Sequence, residues 1–370
     1  MEKSLLLASC RMRILQTQWL VAQPVRLSVC RRCQLHTTAG YSALPNNLPA
    51  FAGPPPEAPQ ASVSYPLGRI ARRKQQAESL RRGQNIKDAK SETLLSRRFW
   101  REVSVKENEK GDLQVLLDKR PVRLASKEPL ALPKTKRALA TAIAIEWDSL
   151  ITSQQALKHH YIPLTSLTSR ALDIQSADEQ GHSIIREQLQ QMLMRYLATD
   201  TLLCWAPETN LHDPLETQKD GGFSLRQSQK AAAEPIIAYL ATHIFPGVEI
   251  IPVLGADSIV PARQPQLTQD VIRGWIAGLP AFELAALERG VLATKSLLVA
   301  ARVLVAYSTH WQQLRQQEPK SHRFGIEEAA EAATLEVAHQ TQQWGEVEDT
   351  HDVEKEDLRK QLGSAILLVS

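Results

Sequence analysis

The chain reads as an α+β protein, a small N-terminal antiparallel β domain followed by a mainly α-helical C-terminal domain. Two changes of period predict this. Between residues 99 and 133 apolar side chains alternate with polar ones over short runs, and from about residue 134 onward they recur at three and four residues, the spacing of a helical face. A long apolar stretch from Ala281 to Tyr307 then supplies a helix that belongs in a core.

The strand-like part begins with Phe99, Val103 and Val105, and turns through a polar segment, Lys106 to Asp112, that contains Gly111. It returns through Leu113, Val115 and Leu117, turns again at Asp118-Lys119-Arg120, and continues through Val122 and Leu124 to Leu130, Leu132 and Pro133. So few strands are not stable by themselves and must pack on something larger.

The helical part opens over 136–150, where Leu139, Ile143 and Trp147 share a face and Ala140, Ala142 and Ala144 allow close approach. An irregular stretch comes next, then a helical segment from Ile184 to Leu203. A polar loop spans 206–228, with Pro207, Pro214, Gly221 and Gly222. Helices are expected at 229–244 and 265–277, separated by a short extended piece from Val248 to Leu254. The stretch 281–307 reads as one helix, with Leu284, Leu287, Val291, Leu298 and Val305 on its stripe. A helix at 326–344 carries Ile326, Ala330, Ala333, Val337 and Trp344, and Gly345 is a stop signal. The last helix, 350–362, is expected to end before Gly363. Trp147 and Trp344 are both expected to serve structure, because an aromatic on an apolar helical face is core before it is contact.

Ahead of the folded body, residues 1–40 carry Lys3, Arg11, Arg13, Arg26, Arg31 and Arg32 against Glu2, with Leu5, Leu6, Ile14, Leu15 and Trp19 on an apolar face. Arg-rich, acid-poor and amphipathic, this is what a mitochondrial presequence requires, and it implies import to the matrix. Residues 41–96 are a linker, proline-rich to Pro66 and basic thereafter, where Arg69, Arg72, Arg73, Lys74, Arg81, Arg82, Lys87 and Lys90 outnumber Glu78, Asp88 and Glu92. The expected organisation is therefore presequence 1–40, linker 41–96, β domain ending in a helix 97–168, and helical domain 169–370 with the polar loop near 206–228. Of the four cysteines, Cys10, Cys30 and Cys33 lie in the presequence, leaving Cys204 alone in the mature chain.

Composition and motifs bound the chemistry. Hydrophobic residues at 43% and charged residues at 23% are ordinary for a globular protein. No uncharged apolar run approaches the roughly 18 residues of a membrane span. Neither GxxxxGK[ST] nor GxGxxG occurs, glycine is sparse at 16 residues, and GxSxG and HExxH are missing. The expectation is a non-enzyme without catalytic residues, metal or cofactor, binding no small-molecule substrate. An RNA-binding or adaptor role for the basic segment 69–98 is the alternative; it predicts salt-sensitive binding lost on deleting that segment.

Charge placement points to a protein partner. On the apolar stretch 281–307, Glu288, Lys295 and Arg302 stand seven apart and would share one face of a continuous helix, with Glu283 at its start. Charges on a mostly buried helix cost several kcal/mol unless paired or placed at an interface. The C-terminal region concentrates Glu327, Glu328, Glu331, Glu336, Glu354, Glu356 and Asp357 against Lys355, Arg359 and Lys360, a solvated face or a docking surface for a basic partner.

Several stretches together carry a resemblance: RRFW at 97–100, DKRPVRL at 118–124, AIEWDS at 144–149, PLTSLTSRALD at 163–173, YLATDTLLCW at 196–205, SIVPARQ at 258–264 and FELAALERGVLATKSLLVA at 282–300. In this order and spacing the chain resembles, over about 97–370, the mitochondrial assembly-factor family of the ATP synthase catalytic sector, specifically the chaperone of its α subunit. The resemblance implies a small β-domain followed by a helical domain, and a holdase that uses no nucleotide. Such a protein would cover unassembled α subunit until α pairs with β, preventing its aggregation. It further implies Glu288, with Glu283 beside it, as partner-binding acids; Glu146, Trp147 and Asp148 form the second diagnostic cluster. Lys295 completes the expected partner-binding set of Glu283, Glu288, Lys295, Glu146 and Asp148.

Overall fold

The computed structural model describes residues 97–207, 224–254, 261–317, 324–347 and 350–370. The presequence, the whole linker and most of the polar stretch 206–228 lie outside the described residues.

The β-unit is a meander around one central strand. β1 (Val103–Glu107) and β2 (Leu113–Leu117) pair antiparallel from Val103↔Leu117 to Glu107↔Leu113. The turn between them needs Gly111 at φ +86, and the Asn108 side chain accepts from the backbone N–H groups of Lys110 and Asp112. β3 (Arg120–Pro121) and β4 (Ala131–Leu132) also pair antiparallel with β2. Leu113, Val115 and Leu117 are buried while Gln114 and Leu116 are half-buried, the two-residue alternation of a sheet with one face on a core. That face is covered by α1 (Arg137–Asp148), through buried Leu139, Ala140 and Ile143.

Nine further helices come after it among the described residues: α2 (Pro163–Glu179), α3 (Ile184–Ala198), α4 (Leu225–His243), α5 (Gln266–Gly278), α6 (Ala281–Thr294), α7 (Leu297–Tyr307), α8 (Gln312–Gln317), α9 (Ile326–Trp344) and α10 (His351–Val369). α6 is the hub, packed by α10, α7 and α2. None of the described helices is long and apolar enough to cross a membrane.

The structure corrects the expected element pattern at three places. The stretch 281–307 is two helices: Lys295 takes the left-handed conformation at φ +59, and Ser296 caps α7 by accepting from the Val299 N–H at 3.0 Å. α6 and α7 fold back as a hairpin so close that a Cβ on Gly290 would lie 3.0 Å from the Ala300 Cβ. Second, part of the stretch read as irregular between 150 and 184 is α2, which runs across the expected domain boundary at residue 168. Third, α10 does not stop before Gly363 but continues to Val369, burying Leu362, Ala365, Leu368 and Val369. That burial outweighs the roughly 1 kcal/mol cost of an internal glycine. Smaller shifts also appear. α4 starts at Leu225, set by a capping box of Ser224 and Gln227, and a 3-10 turn, Thr201–Leu203, ends the segment begun by α3.

Candidate partner-binding site

Three of the stretches that carry the resemblance, RRFW, AIEWDS and PLTSLTSRALD, meet at the junction of α1 and α2. Glu146, near the end of α1, turns its carboxylate onto the N-terminus of α2 and accepts from the backbone N–H groups of Leu164 (2.8 Å) and Thr165 (2.9 Å) and from the Thr165 hydroxyl (2.6 Å). Ile162, the residue preceding α2, has no side chain able to cap it, so the cap comes from another helix. Burial raises the Glu146 pKa, and the hydrogen bonds from Thr165 and Leu164 oppose that rise. The Trp147 indole N–H donates to the same Thr165 hydroxyl at 2.9 Å, and its half-buried ring stands edge-on to buried Trp100 at 5.4 Å. Exposed Asp148 receives Arg98 twice, on its carboxylate at 3.1 Å and its carbonyl at 2.9 Å. Arg98 is also the last residue of the basic segment 69–98, so that end of the segment belongs to the folded body.

α2 then connects this junction to α6. Arg170 donates to Glu288 as a fork, Nε to one carboxylate oxygen at 2.9 Å and Nη2 to the other at 3.2 Å. The Glu288 side chain is 17% exposed and that of Arg170 38%, so the pair sits at the boundary with water. Thr165 and Arg170 are five residues apart, about 7.5 Å along the helix axis. Glu146, Trp147 and Glu288 are thus tied to one helix, while Asp148 is held by Arg98.

Glu283 lies deeper. It is only 6% exposed and accepts from the Ser308 hydroxyl at 2.9 Å. Burial lowers the Lys136 pKa, and the charge of Glu283 opposes that shift, which places the two in one field. Lys136 in turn donates to the Ser370 carbonyl at 3.1 Å. Glu283 therefore ties α6 to the end of α7, and Lys136 joins the start of α1 to the end of α10.

Lys295 does not share a face with Glu288 and Arg302, because the chain reverses at it. Its exposed ammonium turns back onto the Leu292 carbonyl at 2.5 Å, where a cation complements the C-terminus of α6. Arg302 is buried on α7, with its guanidinium 3.6 Å from the centroid of the Tyr239 ring and 5.2 Å from that of Phe324. Trp344, expected to pack, is instead 72% exposed: α9 presents its last turn to solvent, and Gly345 ends it before any element covers that face.

Sequence reading passed over one residue of consequence. Asp200, fully buried in the YLATDTLLCW stretch, accepts from the N–H groups of Leu297 (2.7 Å) and Leu298 (3.1 Å) with one oxygen and of Leu202 (3.0 Å) with the other. It caps both α7 and the 3-10 turn, and burial pushes its pKa up to about 6 against hydrogen bonds from Ser296, Leu298, Leu202 and Leu297. The available signal was a lone acid between apolar runs. Its partners Leu297 and Leu298, almost a hundred residues away, are not deducible from spacing. Among the described residues no group of three or more His, Cys, Asp or Glu is arranged to hold a metal. The arrangement offers carboxylates and forked pairs suited to holding elements and meeting another chain.

Residues 97–241 match the family described as ATP12 chaperone protein. The chain is 32% identical over 273 residues to the mitochondrial protein atp12 of Schizosaccharomyces pombe, covering 74% of this chain and 81% of that one. With mitochondrial ATP12 of Saccharomyces cerevisiae it shares 30% identity over 291 residues, 74% of this chain and 83% of the other. Crystallographic Atp12 from Paracoccus denitrificans superposes with a TM-score of 0.52 at 25% identity, covering 74% of this chain and 98% of that one, and a point mutant of it does so at the same TM-score. The small antiparallel sheet followed by helices is the fold shared with these structures. By its matched family region and its identity to both yeast proteins, the chain belongs to the ATP12 chaperone family.

Proposed function

We propose that this chain is an ATP-independent assembly chaperone of the mitochondrial ATP synthase, which binds the unassembled α subunit in the matrix and keeps it from aggregating until it pairs with β. Membership of the chaperone family supports the first part. The ordered run of motifs over 97–370, resembling the α-subunit chaperone, supports the second. Unassembled subunits expose apolar surface that self-associates, and a transient cover meets that need without chemistry.

The observation that carries the reading is the Arg170–Glu288 fork. It joins Arg170 on α2 to Glu288 on the core's central helix, at the water boundary where another chain can reach it, with Glu288 17% and Arg170 38% exposed in their side chains. Glu288 and exposed Asp148 are the acids proposed to face the client; Glu146 and Glu283 act from beneath, by positioning α2 and α6. Lys295, at the far end of α6, is proposed as a separate contact.

The test is a pulldown with the processed protein from mitochondria actively assembling ATP synthase, in nucleotide-free buffer. Recovery of α subunit is the expected result, together with suppressed light scattering when purified α is diluted from denaturant. Recovery of β alone, or of no ATP synthase component, would overturn the assignment to α.

A further inference from the structure

Away from the α1–α2–α6 junction, the C-terminal end of α6 forms one wall of a groove closed by α9 and α10, with a volume of about 400 Å³. Its floor mixes apolar Leu292 and Ala293 from α6 and Leu335 from α9 with polar Thr201, Gln229 and Thr294, and exposed Val337 stands beside it. Its rim is acidic: Glu336 on α9, Glu354 and Asp357 on α10, all exposed. Gln340 and Gln361 donate to Glu336 and Asp357, and none of these three carboxylates is ion-paired with a described residue. The carbonyl end of α6 adds negative potential, and Lys295, the base that lines the groove, is already turned onto the Leu292 carbonyl. Trp344, Val347 and Val353, on the same two helices and the stretch that joins them, are large apolar side chains left exposed.

The same chain carries a segment of opposite character just ahead of the folded body. Within 69–90, Arg72, Arg73 and Lys74 form one basic cluster and Arg81 and Arg82 another, with Ile70, Leu80 and Ile86 interspersed. We propose that this segment occupies the groove in cis, its basic side chains on Glu336, Glu354 and Asp357 and its apolar ones on the floor. Reach is sufficient: the 17 or so residues from the middle of the segment to residue 97 span up to about 60 Å extended, more than the roughly 50 Å width of a body this size. The tether supplies an effective concentration on the order of millimolar, so contacts too weak to hold a separate peptide suffice. Two otherwise unconnected features, the basic segment and the acidic C-terminal face, become one interaction, and it is independent of which client the chaperone holds.

The test uses a fluorescent peptide of residues 67–96 titrated into two lengths of the protein. The shorter, 97–370, contains every described residue of the buried apolar core, and its cooperative melt is measured first to establish that it folds without the segment. At low salt it is expected to bind the peptide, while 67–370 binds it at least tenfold more weakly because the groove is already filled. The combined changes Glu336→Lys, Glu354→Lys and Asp357→Lys, all at exposed positions, are expected to weaken binding to 97–370 at least tenfold with an unchanged melting temperature. Equal binding to both lengths would overturn the proposal. So would binding insensitive to the reversals, or concentration-dependent dimerisation of 67–370, which would make a second copy the occupant.

Discussion

The junction of α1, α2 and α6 and the face made by α9 and α10 use the same residue types in opposite ways. At the junction each motif charge has a committed internal partner: Arg98 holds Asp148, Glu146 caps α2, Arg170 forks onto Glu288, and Glu283 takes the Ser308 hydroxyl. On the α9–α10 face Glu336, Glu354 and Asp357 stand exposed beside Val337, Val353 and Trp344. Charges in the first region range from buried Glu283 to exposed Asp148, yet each is committed to a partner elsewhere in the fold, so they act as structure even where they also meet a client. Charges in the second cost little to leave solvated and carry no such commitment, which leaves them open to the segment proposed above. A charge that stands out in the sequence therefore says little about contact until its internal partner is known.

The largest effect that would break this contrast is at Asp200, the extreme case of a committed charge. Asp200→Ala is expected to leave three buried N–H groups without their acceptor and to lower stability by about 2–4 kcal/mol. Denaturant melts would show a shifted midpoint at unchanged slope. A loss below about 0.5 kcal/mol, the level of an ordinary surface change, would mean that the helix break at Lys295 holds without this cap.

The same residue sharpens the contrast through pH. Its carboxyl is pushed from 3.8 up to about 6 in the folded protein, so the folded state binds the proton more tightly than the unfolded chain. Stability from this group is therefore fully present below about pH 4 and declines as pH rises to about 6, a swing approaching 3 kcal/mol. Relative to Asp200→Asn, which cannot ionise, the wild-type protein should lose ground across that window in denaturant melts. A difference that is flat, or that grows with pH, would show that Asp200 ionises as easily folded as unfolded.

A smaller effect separates structure from contact at Glu288. Glu288→Lys places like charges against each other at Arg170 and is expected to cost about 1–2 kcal/mol, less than a fully buried break because Arg170 is partly exposed. The exchanged pair Glu288→Lys with Arg170→Glu should recover most of that stability. If capture of α subunit returns with it, Glu288 acts by holding α2 on α6. If stability returns and capture does not, the carboxylate itself meets the client, as proposed above.

The same division explains how much of the molecule was legible in the sequence. α1 and α9 were readable because their signals are local: an apolar stripe through Leu139 and Ile143 in one case, Gly345 as a stop in the other. The alternation in β2 was readable for the same reason. The break at Lys295 was not, because it is imposed by Asp200 from almost a hundred residues away on a stretch apolar enough to continue. Nor was α2, whose Thr- and Ser-rich start is a poor helix former until Glu146 caps it from α1. α10 runs past Gly363 because α6 packs against its C-terminal half and buries Ala365, Leu368 and Val369. In the site, residue types were legible and partners were not: Glu288 could be singled out, but Arg170 could not be assigned to it by spacing.

The smallest expected change in stability is at Trp344, and it is the one that isolates the α9–α10 face. An indole 72% exposed on the last turn of α9 contributes little to the fold, so Trp344→Ser should shift stability by no more than about 0.5 kcal/mol. A large exposed aromatic next to exposed Val347 and Val353 is nevertheless surface that water hydrates poorly and that another chain can cover. Binding of a hydrophobic-surface dye to the 97–370 protein should therefore fall in the variant even though the melt does not move. A melt lowered by about 2 kcal/mol or more, the scale of a lost core side chain, would instead return Trp344 to the core, and with it the expectation that the apolar periodicity of α9 runs through to its end.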